Sequence, residues 1–173
     1  RSGFKSTGGF NDEVDVTYAA IISIVAANKL KKNQHDFIFE VIKNSDVSGI
    51  TSVEKFLDNA DIREIMEKLS YPGPHHNNPL YKIFDQIFYG PELYKKLFGQ
   101  SSQFSELGLI ENDIVIVKKE LLDILKKKFG KKIAIVSGRG FESVRYSLKE
   151  LLDEFDLDNS IFLEDEPRRS EEH

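Results

Sequence analysis

A serine and two glycines that follow a short apolar run are the residues with the clearest potential for chemistry. Residues 133–136, Ile-Ala-Ile-Val, show no alternation of apolar and polar positions, which is typical of a strand buried on both faces. Ser137, Gly138 and Gly140 then permit a tight turn that presents backbone N–H groups, and a helix is predicted to begin near Phe141. A strand that ends at the positive end of a helix favours a phosphate or another anion.

An ordinary strand-to-helix turn explains the same residues. In that interpretation Ser137 is only the N-cap of the helix, and short glycine-rich turns of this kind are common in α/β proteins. Arg139 has two equally good interpretations, a contact to the bound ligand or a structural ion pair. The motif alone leaves these alternatives open.

The N-terminal segment holds a second candidate anion site. Glycines 8 and 9 lie beside a predicted helix start and permit close approach of a ligand to the backbone, while Lys5 and Asn11 supply a cation and an amide. The alternative is a flexible loop in which Asn11 or Asp12 caps the helix that follows.

Composition limits the classes of partner. The chain has 24 Lys and Arg against 29 Asp and Glu, a net charge of −5, so it has no general attraction to nucleic acid or to an anionic membrane. It has no cysteine, and no apolar run approaches the roughly 20 residues of a membrane span. No signal peptide is visible, and we expect a cytoplasmic protein.

The periodicity predicts a long helical region followed by a βα unit. Residues 71–79 are predicted to form a loop, and Thr51 with Glu54 has the spacing of a capping box. The predicted helices are 13–32, 35–43, 60–69, 80–88, 91–98, 113–130 and 141–154, and the predicted strands are 133–136 and 161–163.

Three other features have ordinary structural explanations. His75 and His76 are adjacent, so their side chains point apart, and we interpret them as part of an exposed loop rather than as a metal site. The lysines at 126–128, 131 and 132 lie near a predicted helix C-terminus, where cations are favoured. The aromatic residues at 84, 88, 89, 94 and 98 recur at helical spacing, which indicates packing rather than ligand stacking.

The run 133–139, Ile-Ala-Ile-Val-Ser-Gly-Arg, resembles the second motif of the haloacid dehalogenase (HAD) superfamily of phosphohydrolases. In that family a Ser or Thr at the end of the second strand binds the phosphoryl group, and Ser137 matches it. Residues 88–99 and 108–111 resemble one HAD phosphatase subfamily with a helical cap. Residues 5–11, Lys-Ser-Thr-Gly-Gly-Phe-Asn, match a segment near the start of that cap. The resemblance covers nearly the whole chain.

The resemblance implies an Asp nucleophile in an Asp-x-Asp strand and a late acidic motif that binds Mg²⁺. No Asp-x-Asp strand precedes Lys5, and the sequence stops before the late acidic motif would occur, so we assign no metal ligand. It also implies a Lys or Arg after the next strand. Arg169 is the better match and Arg168 the next, although the subfamily usually reads Pro-Lys-Pro there. We interpret Glu164 and Asp165 as a solvated strand end rather than as a nucleophile.

We therefore predict an α/β protein of HAD type. Residues 1–12 would form a substrate-binding loop, 13–112 a mostly α-helical cap, and 113–173 part of a Rossmann-like core. The expected activity is Mg²⁺-dependent removal of phosphate from a small phosphorylated metabolite through an aspartyl-phosphate. Because the chain begins at Arg1 without a Met, we expect it to be part of a longer protein.

Two other functions remain open. The first is a non-catalytic HAD-like module that binds a phosphorylated ligand or a protein partner. The second is a helical interaction domain in which Ser137 and Gly138 form only a turn. We expect neither nucleic acid nor membrane as a partner, and a homodimer is left open.

Overall fold

The computed structural model describes residues 2–10, 12–130 and 132–162, without the side chains of Ser2 and His76. These residues form eight α-helices, five short 3₁₀ helices and no β-strand. The α-helices are α1 (Ser2–Lys5), α2 (Glu13–Lys29), α3 (Gln34–Lys43), α4 (Ile50–Phe56), α5 (Arg63–Leu69), α6 (Pro79–Phe98), α7 (Lys119–Phe129) and α8 (Phe141–Leu148). The 3₁₀ helices are Asp58–Ala60, His75–Asn77, Leu109–Asn112, Lys149–Glu154 and Leu157–Asn159. The chain divides into two compact units, Arg1–Phe84 and Asp85–His173.

The prediction of an α/β fold with a Rossmann-like core is wrong. In place of strands at 133–136 and 161–163, the described residues contain one isolated parallel bridge, between Val136 and Ile161. Ile161 N donates a hydrogen bond of 2.8 Å to Ile135 O, and Ser137 N donates one of 3.0 Å to Ile161 O. Two short extended segments joined at one bridge do not make a sheet. The described part of the protein is therefore all-helical.

Helix α2 is the centre of the first unit. Asp12 caps it as predicted, because Asp12 Oδ1 accepts a hydrogen bond of 2.8 Å from Val14 N. Glu13 and Asp15 in the first turn suit the positive end of the helix. Helices α3, α4 and α5 pack against α2. Its buried residues are Val14, Tyr18, Ala19, Ile22, Ser23, Ala26 and Ala27.

The predicted capping box at Thr51 and Glu54 does not form. Helix α4 begins at Ile50 after Gly49, and no side chain caps it. Glu54 instead accepts a hydrogen bond of 2.7 Å from the Tyr18 hydroxyl, 36 residues away in sequence. Glu54 therefore interacts with Tyr18, which is distant in sequence, instead of forming the local capping box with Thr51.

Helix α6 is broken at Gly90, whose φ of 70° and ψ of 171° are not helical. Pro91 follows and starts the next helical segment. This break agrees with the prediction of two separate helices, 80–88 and 91–98. Gly90 also lies close to Gly108, since a Cβ added at Gly90 would be 2.4 Å from Gly108 N. Only glycine fits this approach.

The second unit has a small apolar cluster that supports α8. Its buried residues are Val144, Leu152 and Phe162, and Ile135, Phe141 and Leu148 pack against them. Helix α7 begins at Lys119 rather than near residue 113. Residues 113–118 are not helical, and Asp113 and Lys118 at the two ends of this segment have extended backbone angles. The run 114–117, Ile-Val-Ile-Val, is entirely β-branched, a residue class with low helix propensity.

Candidate functional site

The Ser137–Gly140 turn connects the parallel bridge to helix α8. Ser137 N is fixed by its hydrogen bond to Ile161 O, and Ser137 Oγ accepts a hydrogen bond of 3.0 Å from Arg139 N. The N-cap of α8 is Gly140, which has no side chain to accept from the first turn. Ser137 is therefore not the N-cap that the ordinary interpretation required. Its hydroxyl instead shapes the turn in front of the positive end of the helix.

Arg139 is held within this turn by a structural ion pair. Its Nη1 donates a hydrogen bond of 2.7 Å to Asp113 Oδ2, and its guanidinium lies over the Phe88 ring at 5.3 Å from the ring centroid. The same Asp113 oxygen accepts a hydrogen bond of 2.7 Å from Ser147 Oγ. The ion pair, one of the two interpretations left open for Arg139, is present, and a contact from Arg139 to a ligand stays a prediction.

Two buried polar atoms near the start of α8 have no hydrogen-bond partner within the part of the chain that the structure describes. They are Nη2 of Arg139 and Oγ of Ser143. Ser143 is only 2% exposed, and its hydroxyl belongs to the first turn of the helix. Buried polar atoms are normally satisfied, so these two donors distinguish this end of α8 from an ordinary turn.

The N-terminal candidate residues have structural partners. Lys5 Nζ donates a hydrogen bond of 2.7 Å to Glu13 Oε1, so a carboxylate already neutralises its charge. A Cβ added at Gly9 would be 2.4 Å from Gly49 N, and Gly8 has a φ of 87°. These glycines permit a close approach, but the approaching group at Gly9 is the protein's own backbone. Lys5, Gly8 and Gly9 belong to the first unit, and Ser137, Gly138 and Arg139 to the second.

Several predicted positions lie outside the described residues. They are Asn11 of the N-terminal segment, Arg168 and Arg169 of the third-motif assignment, and Glu164 with Asp165.

A group of tyrosines and acids in the first unit was not predicted. The Tyr71 hydroxyl donates a hydrogen bond of 2.5 Å to Asp15 Oδ1, and the Tyr81 hydroxyl donates one of 3.4 Å to Asp12 Oδ2. The His75 ring contacts the Tyr81 ring edge-on, with centroids 4.5 Å apart. Because Tyr71 and Asp15 are 56 residues apart, no local pattern could have indicated this pairing.

The surroundings of these tyrosines disfavour loss of the phenolic proton. Burial, and then the neighbouring Asp12 carboxylate, raise the pKa of Tyr81 to about 12. Burial is also the main cause of the raised pKa of Tyr71, followed by its hydrogen bond to Asp15. These hydroxyls therefore act as hydrogen-bond donors that fix residues 71–81 to the start of α2.

The Mg²⁺ that the resemblance implies has no fitting set of ligands among the described residues. No group of three or more His, Asp or Glu side chains in residues 2–10, 12–130 and 132–162 is arranged to hold a metal ion. In the same part of the chain, no helix is long and apolar enough to cross a membrane.

Comparison with protein-family models, with curated proteins and with solved structures gives no match to this chain. The functional interpretation therefore depends on the residues described above.

Proposed function

We propose that this protein binds the phosphate of a small phosphorylated metabolite at residues 137–140 and hydrolyses the phosphate ester. The proposal is carried by the geometry of the turn, in which Ser137 follows the Val136–Ile161 bridge and Gly140 caps α8 without a side chain. The resemblance of residues 133–139 to the second HAD motif supplies the reaction type.

The turn has three means of holding a phosphoryl oxygen. The Ser137 hydroxyl is a donor as well as the acceptor used by Arg139 N, and Gly138 leaves its backbone open, since a Cβ there would meet no atom within 4 Å. The first turn of α8 adds a positive partial charge that attracts an anion. Arg139 lies beside the turn, but its pairing with Asp113 makes it a positioning residue.

Hydrolysis needs groups that the described residues do not supply. In the proposed reaction an aspartate attacks the phosphorus atom and forms an aspartyl-phosphate, which water then hydrolyses. That aspartate, the ligands of Mg²⁺ and the cation assigned to Arg169 or Arg168 would all come from residues outside the described part. A cytoplasmic location is part of the proposal and rests on the absence of cysteine from the sequence.

A second candidate is a module that binds a phosphorylated ligand without hydrolysing it. The observation that favours it is the lack of a metal-binding group among the described residues. Both candidate functions include ligand binding at residues 137–140. They differ in whether the bound phosphate ester is hydrolysed.

A phosphate-release assay tests the first candidate. The full-length protein, its Ser137→Ala variant and the control Ser101→Ala are incubated with a panel of sugar phosphates and other small phosphate esters, with Mg²⁺ or with EDTA. Ser101 is an exposed serine of another loop. Release with Mg²⁺ is expected in wild type and Ser101→Ala. Loss of the Ser137 donor is expected to lower kcat/KM by about a hundredfold.

The same proteins are then titrated with inorganic phosphate and followed by amide NMR. Shifts at residues 137–140 that disappear in Ser137→Ala, without phosphate release from any ester, favour the binding module. The proposal fails if phosphate neither shifts these amides nor is released. That outcome favours the helical interaction domain.

A further inference from the structure

A groove in the second unit lies between the second part of α6 and one face of α8. Its volume is about 420 Å³, within the range of small-molecule sites. On the α8 side, Glu142, Arg145 and Tyr146 share one helical face, because they are spaced i, i+3 and i+4, and Lys149 follows the end of the helix. The groove is lined by Leu93, Lys96, Glu142, Arg145, Tyr146 and Lys149.

The groove has an excess of positive charge. Arg145 pairs with Glu142, so these two side chains neutralise each other. Lys96 and Lys149 form no ion pair with any acid of the described residues. Within the described part of the chain, whose full sequence has a net charge of −5, two cations without an ion-pair partner thus remain in one concave surface. Such a surface attracts a small anion of about two charges.

The wall of the groove is fixed on the α8 side. The Tyr146 hydroxyl donates a hydrogen bond to Glu111 Oε1, which sets the position of the ring. Lys149 follows α8 with a φ of 52° and a ψ of −127°, a conformation that residues other than glycine rarely adopt. The apolar Leu93 and the Tyr146 ring offer a surface to the non-polar part of a ligand.

We propose that this groove binds the phosphate group of a small organic molecule through Lys96 and Lys149. A phosphate monoester carries about −1.5 to −2 charges at pH 7, which matches two lysines that pair with no acid among the residues the structure describes. This site goes beyond the proposed function. None of Ser137, Gly138 and Arg139 lines the groove, so each site can be tested while the other is intact.

Titration with inorganic pyrophosphate, followed by amide NMR, tests the proposal. Wild type is compared with Lys96→Ala, Lys149→Gly and Ser137→Ala. Lys127→Ala is the matched control, because Lys127 is an exposed lysine of α7 outside the groove. Lys149→Gly removes the charge and also the backbone strain, so a loss of binding in this variant cannot be explained by unfolding.

We expect pyrophosphate to shift the amides of Tyr146 and Lys149 in wild type. Lys96→Ala and Lys149→Gly should each weaken this binding by about threefold, and the double variant by about tenfold, as expected for exposed charge pairs. In Ser137→Ala the shifts of Tyr146 and Lys149 should persist, and only shifts at residues 137–140 should be lost. Lys127→Ala should bind as wild type does. The proposal is overturned if the shifts are confined to residues 137–140, if none occur, or if Lys127→Ala weakens binding as much as the groove variants.

Discussion

Asp113 Oδ2 accepts hydrogen bonds from both Arg139 Nη1 and Ser147 Oγ, each 2.7 Å long. One carboxylate therefore ties the turn before α8 to the last part of that helix. Asp113 itself follows the 3₁₀ helix Leu109–Asn112, so three segments of the second unit meet at this side chain.

Replacing Asp113 by Asn should loosen the turn, since the charge that holds Arg139 is lost. We expect the free energy of unfolding to fall by roughly 1 kcal/mol, because both side chains of the pair are about one-third exposed and the solvent screens them. Urea denaturation measures this loss. The control Asp123→Asn changes an exposed acid of α7 and should stay within about 0.5 kcal/mol of wild type. Equal losses in the two variants would show that the pair does not hold the turn.

Gly9→Ala should be strongly destabilising. A methyl group there would lie 2.4 Å from Gly49 N, so one backbone segment must move away from the other. We expect a loss of about 2–4 kcal/mol in the free energy of unfolding. Gly138→Ala is the matched control, because its Cβ would meet no atom within 4 Å and its φ is not positive. A Gly9→Ala protein as stable as the control would contradict the close approach.

Ser143→Ala should leave the protein as stable as wild type or make it more stable. The buried Ser143 hydroxyl has no hydrogen-bond partner, so its removal ends a desolvation cost of about 1 kcal/mol. The control is Ser23→Ala, since the equally buried Ser23 hydroxyl donates a hydrogen bond of 2.6 Å to Ala19 O. That control should lose about 1 kcal/mol. Thermal denaturation of both variants gives the comparison, and a clear loss in Ser143→Ala would mean that this hydroxyl does have a partner.

Stability should fall as the pH rises from about 10 towards 12. The ordinary pKa of tyrosine is 10.0, and that of Tyr81 is raised to about 12 in the folded protein. Between these values the folded state keeps a proton that the unfolded state has lost, so a rise in pH favours unfolding. Tyr81→Phe removes the titrating hydroxyl, so the stability of this variant should fall less steeply with pH than that of wild type. Urea midpoints at several pH values measure how steeply the stability of each protein falls with pH. The contribution of lysine titration is nearly the same in the two proteins, so it largely cancels when they are compared. Identical slopes would contradict the raised pKa.

Local signals in the sequence predicted the elements whose causes are local. Asp12 caps α2, Gly130 ends α7, and Gly90 with Pro91 interrupts α6, each as expected. These residues act on backbone atoms within a few positions of themselves, so their type and spacing are sufficient.

The sheet was predicted wrongly because strand pairing is not a local property. Residues 133–136 have the composition of a buried strand, yet Val136 is 77% exposed, and its bridge to Ile161 is the only strand pairing among residues 2–10, 12–130 and 132–162. An apolar run indicates which backbone conformation is favoured. It does not indicate whether a neighbouring strand is present to complete a sheet.

The candidate site was predictable only in part. Ser137 and Gly138 were indicated by the turn they form, but the partner of Arg139 was not, because Asp113 lies 26 residues away. Part of the α8 side of the groove was visible in principle, since Glu142, Arg145 and Tyr146 share one helical face, whereas Lys149 lies beyond the end of the helix. Its other wall comes from α6, and only the structure brings Lys96 beside that face.

The exposed run 114–117 affects how the protein should be handled. Ile114 and Ile116 are 85% and 87% exposed, and the four residues form no ladder with any described segment. An exposed β-branched run is prone to intermolecular aggregation. Asp113 before it and Lys118 and Lys119 after it oppose stacking in register, because like charges would repeat along the stack. Since salt screens that repulsion, concentrated preparations should be kept at low ionic strength.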